Sequence, residues 1–91
     1  MIGIQKKNNT NLRKHGVSFD EAETVFEDER AITIYDEEHS GDEDRFIIIG
    51  MSSKLRELTV CHCSRNGDEV TRIISARRAT RSEAKLYERG L

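Results

Sequence analysis

"ELTVCHCSRNGDEVTRIIS", residues 57 to 75, is a pair of alternating, β-branched stretches split by Asn66-Gly67. A two-residue hairpin turn needs positive φ at both central positions, and Asn-Gly supplies that at low cost. The stretch therefore predicts two antiparallel strands, and the rest of the fold can be read outward from them. "RFIIIGM", residues 45 to 51, is too continuously apolar for a half-exposed strand and reads as a central one covered on both faces. "AITIY", residues 31 to 35, alternates like a further strand, and the polar "DEEHSGDED" of residues 36 to 44, centred on Gly41, is the connecting loop. Four strands with short connections make an antiparallel meander.

Helix signals flank this sheet. "NLRKHG" is a short helical turn stopped at Gly16, a residue suited to a left-handed C′ position. Ser18 and Glu21 then form a capping-box pattern, with Val17 and Ala22 as its hydrophobic staple. A second helix is expected from Phe19, with Phe19, Ala22, Val25 and Phe26 on one face and "EDER" at its end. Thr80 and Glu83 repeat the capping pattern and open a last helix, which carries Ala84 and Tyr87 and stops at Gly90. The expected fold is α+β: two N-terminal helices, a four-stranded antiparallel meander sheet and a C-terminal helix, in one domain over residues 1–91.

A chain of 91 residues with 35% hydrophobic and 35% charged side chains buries too little surface for a large cavity or a bulky cofactor. It predicts a shallow site, and a thin core that a partner subunit would strengthen. No apolar run approaches the roughly 18 residues of a membrane span, and "MIGIQKKNN" has no secretory signal. With two cysteines two residues apart and no others, a reducing cytoplasmic location is expected and a disulfide is not.

The net charge of −2 conceals segregation. Residues 1 to 19 hold Lys6, Lys7, Arg13 and Lys14 with no carboxylate, whereas residues 20 to 44 hold twelve carboxylates against Arg30 alone. From Arg45 onward ten basic residues face five acids. If the two basic ends meet in space they form a positive face that attracts polyanions. "RIISARRATR", residues 72 to 81, concentrates four arginines in ten positions. Guanidinium groups packed so closely repel one another unless an anion or carboxylates lie between them. Strand-borne arginines beside a helix start can hold a phosphate bidentately; pairing with Asp68, Glu69 or Glu83 is the structural alternative.

"CHC" at 61 to 63 invites a metal reading, but on a strand Cys61 and Cys63 face one way and His62 the other. No metal and no cofactor are expected, and no nucleophile elbow, phosphate loop or glycine-rich nucleotide fingerprint is present. Lys14 and His15 add a basic, proton-exchanging pair at a helix end, where a simple C-cap role is the alternative. Combined with the arginines they suit RNA cleavage by an internal 2′-OH, which needs proton transfer and stabilisation of phosphate charge.

"NLRKHGVSF", "DRFIIIG" and "RIISARRAT" followed by Glu83 and Tyr87, in this order and spacing, resemble the BrnT family of ribonuclease toxins of type II toxin–antitoxin systems. The resemblance runs from residue 7 to about 88. It implies a RelE-like fold and RNA cleavage that inhibits growth. It also implies neutralisation by a BrnA-like ribbon-helix-helix antitoxin in a 2:2 assembly, with DNA bound only through the antitoxin. By position it places the family's functional residues on Lys14, His15, Arg45, Arg72 and Arg77; Lys7, Arg78 and Arg81 are expected as further RNA contacts. A short first strand is implied too, with Gly3 and Ile4 where members carry an aromatic-acidic pair. Two alternatives remain open: an inactive module that binds an antitoxin, and an adaptor whose arginines form internal ion pairs.

Overall fold

A computed structural model describes residues 3–5, 10–41, 43–64 and 70–90. The Asn66-Gly67 turn and Lys7 lie outside them. In chain order the elements are β1 (Gly3–Gln5), α1 (Thr10–His15), α2 (Phe19–Thr24), β2 (Ile32–Tyr35), β3 (Asp44–Met51), β4 (Glu57–Ser64), β5 (Val70–Arg78) and α3 (Arg81–Arg89). The four strands β2 to β5 form the expected antiparallel meander. The sheet nevertheless has five strands, not four, in the order β1-β5-β4-β3-β2. β1 adds to the border of β5 in parallel, Ile4 opposite Thr71. Three residues carry no periodicity, so only the family resemblance pointed to this strand.

One sheet face is covered by α2 and the 3-10 turn that continues it over Val25–Glu27. Val17, Ala22, Val25, Leu58, Val60 and Ala76 are fully buried there, with Phe19, Ile48 and Ile73 around them. At roughly 25 cal/mol per Å² of apolar surface, this small cluster is the main favourable term in folding. Gly50 lets the helical layer approach: a Cβ at that position would stand 2.9 Å from both Ala31 Cβ and Val25 Cγ1. The last helix, α3, lies across one end of the opposite face. Tyr87 of that helix donates a 2.7 Å hydrogen bond to Asp28 Oδ2 after α2, joining the two sides. No helix is long and apolar enough to cross a membrane.

Local chemistry fixes the helix ends. Gly16 takes φ 71° and its N–H bonds to Leu12 O at 2.8 Å, stopping α1. The Ser18 hydroxyl caps α2 by accepting from Glu21 N at 3.0 Å. The reciprocal half of that expected capping box is missing, because the Glu21 carboxylate is drawn away. Ser52 donates to it at 2.6 Å and Arg56 Nε at 2.9 Å. A buried carboxylate needs this charge-assisted company more than one more backbone bond. Thr80 and Glu83 do form a complete capping box, and Gly90 ends α3 with φ 68°.

Beyond β1, one side chain caps the border of β5 at Ala76. Asn11 of α1 donates to Ala76 O at 2.7 Å and accepts from Ala76 N at 3.0 Å, while also donating to Val17 O at 2.8 Å. Its amide thus satisfies the outward-facing N–H and C=O of Ala76, as a neighbouring strand would.

Candidate active site

Strand register decides which of the candidate residues meet. Arg45 of β3 stands opposite Cys63 of β4, and Cys63 stands opposite Arg72 of β5. The three form a row across the sheet, so with strands about 4.8 Å apart the two arginine Cα atoms are about 10 Å apart. They share the face that carries α3 at its other end. There Ile49 and Thr59 are buried, whereas Ile47, Cys61 and Ser75 near the row are half-exposed. The arginine end of this face is open.

A carboxylate lies beside the row. Glu43 Oε2 is 3.8 Å from Arg72 Nη1 and accepts from the Cys63 thiol at 3.5 Å. Burial pushes the Cys63 thiol up, Glu43 adds to the rise, and Arg72 and Arg45 oppose it. The thiol is therefore protonated at neutral pH, which suits a small filler rather than a nucleophile. Cys61 and Cys63 point to this face as the strand period requires. His62 points to the other, between Phe26 and Phe46, and burial holds its pKa below the usual imidazole value.

β5 departs from simple alternation. Its pairing with β4 shifts between Cys61 and His62, so Ile73 faces His62 while Ser75 faces Cys61. Ile74 is the extra residue of a β-bulge and is 39% exposed. Beside it a shallow pocket of about 160 Å³ is lined by Arg45, Ser75, Cys61, Asp36 and His39 among others.

Arg77 is engaged elsewhere. Its Nη1 and Nη2 donate to the two oxygens of Glu83 at 2.7 and 2.8 Å, a bidentate fork that ties β5 to α3. Thr59 and the Thr80 N–H also donate to Glu83, at 2.9 and 2.8 Å. The Arg77 guanidinium and these donors, against the cost of burial, pull the Glu83 pKa down to about 2. The start of α3 is thus occupied by its own cap. Arg78 and Arg81 are exposed.

Lys14 and His15 are exposed in the last turn of α1, which Asn11 fastens to β5 at Ala76. They therefore lie along the same border strand as Arg72 and Arg77. Among the described residues no hydrogen bond or ion pair joins them to the Arg45 row. Lys7 lies outside the described residues.

The family model of the ribonuclease toxin BrnT, of type II toxin–antitoxin systems, matches residues 5–83. The chain belongs to this family. No curated protein matches it. Membership of the BrnT family makes the chain a ribonuclease toxin by kinship and implies a cognate antitoxin as its partner.

Sequence reasoning missed the Asp36–His39 pair beside Arg45. His39 Nδ1 lies 2.8 Å from Asp36 Oδ2. The signal was present in "DEEHS", whose acid and histidine are three residues apart, but the six carboxylates of residues 36 to 44 made the segment read as a solvated loop.

Proposed function

We propose that this chain is a metal-independent endoribonuclease whose cut halts growth. The row Arg45–Cys63–Arg72 at the open end of the sheet carries the reading. Two guanidinium groups on neighbouring-but-one strands fit around one phosphate and can hold the charge that grows on it as a ribose 2′-OH attacks. The same positions in the BrnT motifs are arginines, which supports the assignment. Lys14 and His15, with Lys7, Arg78 and Arg81, are assigned to contacts along the RNA backbone. Arg77 holds the framework on which Arg72 sits. A BrnA-like ribbon-helix-helix antitoxin, bound 2:2 and carrying any DNA contact, is the proposed partner, in the cytoplasm, on a fold of RelE type.

Purified chain incubated with RNA in excess chelator tests the reading. Cleavage that persists there, and falls about 100-fold or more in Arg72→Ala and Arg45→Ala proteins that melt normally, is the expected result. Intact RNA with folded wild-type protein that still captures its antitoxin would favour an inactive binding module instead.

A further inference from the structure

The open end of the sheet also holds a group able to move a proton. We propose that His39 is the general base of RNA cleavage and Asp36 the residue that positions it; this rests on the ribonuclease reading above.

The geometry of the pair specifies its chemistry. An ionised carboxylate only accepts hydrogen bonds, so at 2.8 Å from Asp36 Oδ2 the Nδ1 of His39 must carry the proton. That leaves Nε2 with its lone pair free, the tautomer a base needs. Exposure separates the two roles: the His39 side chain is 63% exposed and can reach a substrate, whereas Asp36 is 20% exposed. Both residues line the pocket that contains Arg45 and Ser75.

The turn bearing the pair is fastened to the arginine itself. Asp36 N donates to Arg45 O at 2.8 Å, and Arg45 N donates to the Ser40 hydroxyl at 3.0 Å. The same Ser40 hydroxyl donates to Asp36 O at 2.8 Å. Base and phosphate-binding arginine are therefore held in one hydrogen-bonded frame, the preorganisation that proton transfer at a bound phosphate requires. Neither of the other two histidines has this combination. His62 is buried between Phe26 and Phe46, and among the described residues His15 has no carboxylate partner.

In the reaction, Nε2 of His39 takes the proton of the ribose 2′-OH and the 2′-oxygen bonds to phosphorus. The bond from phosphorus to the 5′-oxygen breaks, and that oxygen takes a proton from water. A 2′,3′-cyclic phosphate and a 5′-hydroxyl end result, and the imidazolium returns its proton to solvent.

The test uses the full chain, with an RNA oligonucleotide pool as substrate and a 2′-O-methyl pool, which cannot react, as binding probe. The titratable or charged groups lining the pocket with His39 are Asp36, Arg45, Cys61 and His62. His39→Gln should lower kcat about 100-fold or more, keep affinity for the 2′-O-methyl pool, and abolish the acid limb of the pH profile of kcat/KM. Asp36→Asn should lower kcat about 10-fold or more while KM and affinity for the 2′-O-methyl pool hold, because the imidazole loses the acceptor that fixes its Nδ1 proton. His39→Asn serves as a second variant should the first fail to fold. A folded His39 variant that keeps both wild-type kcat within threefold and the acid limb would overturn the assignment, as would loss of the limb in His15→Gln instead. Failure of the underlying ribonuclease reading looks different, because the unsubstituted chain would then not cut at any pH.

Discussion

Single residues in this chain act through the partners they find across the sheet, and Glu83 is the clearest case. It accepts from Arg77, Thr59 and Thr80, and its pKa falls from 4.5 to about 2. A depressed carboxylate contributes stability that is fully present above its unfolded pKa and is lost as pH falls through the folded one. The window is therefore between pH 4.5 and about 2. With the Arg77 side chain 38% exposed, solvent screening limits the contribution to about 1–2 kcal/mol. Denaturant melts across this range should show wild-type stability dropping steeply, and a Glu83→Gln protein should start lower and drop less. The sequence offered Glu83 as a possible partner for the arginines and as a capping residue, and it is both at once. It did not reveal which arginine Glu83 would take, since that depends on the β-bulge at Ile74, which shifts the parity of β5 between Ile73 and Ala76. Nor was His39 legible: a histidine among acids looks like solvated loop until the turn is seen folded against Arg45.

At the scale of elements, most of the architecture follows from local signals that agree with one another. Apolar alternation placed β2, β4 and β5, a continuous apolar run placed β3, and the Thr80 and Glu83 box placed α3. What local signals did not convey is how the connections are held. The β3–β4 turn is tied to α2 through Glu21, which is 4% exposed and accepts from Ser52 and Arg56, and Arg56 also donates to Gly16 O at 3.1 Å. Arg56 and Ser52 hold the Glu21 carboxyl below its usual range against the cost of burial. Removing the guanidinium leaves a buried carboxylate without its counter-ion, so Arg56→Ala should lose stability in denaturant unfolding. A Glu21→Gln, Arg56→Met pair should recover much of that loss, because it removes both charges together.

Over the whole molecule, which measures 31 × 29 × 26 Å, the acidic and basic segments of the sequence are only partly separated, since Glu21 pairs with Arg56 and Glu43 lies 3.8 Å from Arg72. The acidic run of residues 20 to 44 passes through β2, while the arginines of the last segment sit on β5, with β3 and β4 between. In a chain of net charge −2, the proposed hold on a polyanion rests on local geometry rather than overall attraction. RNA affinity should fall with added salt, and Arg45→Ala or Arg72→Ala should each reduce the slope of log affinity against log salt by about 0.7, the value for one single-stranded phosphate contact. Filter binding over a salt series reads this directly, and an unchanged slope would place the phosphate elsewhere.

The amide of Asn11 has a bearing on the company the molecule keeps. A strand with unsatisfied N–H and C=O groups is an invitation to any other extended chain, including another copy of itself. By answering Ala76 from within the same polypeptide, Asn11 makes that stretch of β5 unavailable to strangers at the cost of a single side chain and no extra residues. Another strand could add at this point of β5 only by first displacing Asn11 from Ala76.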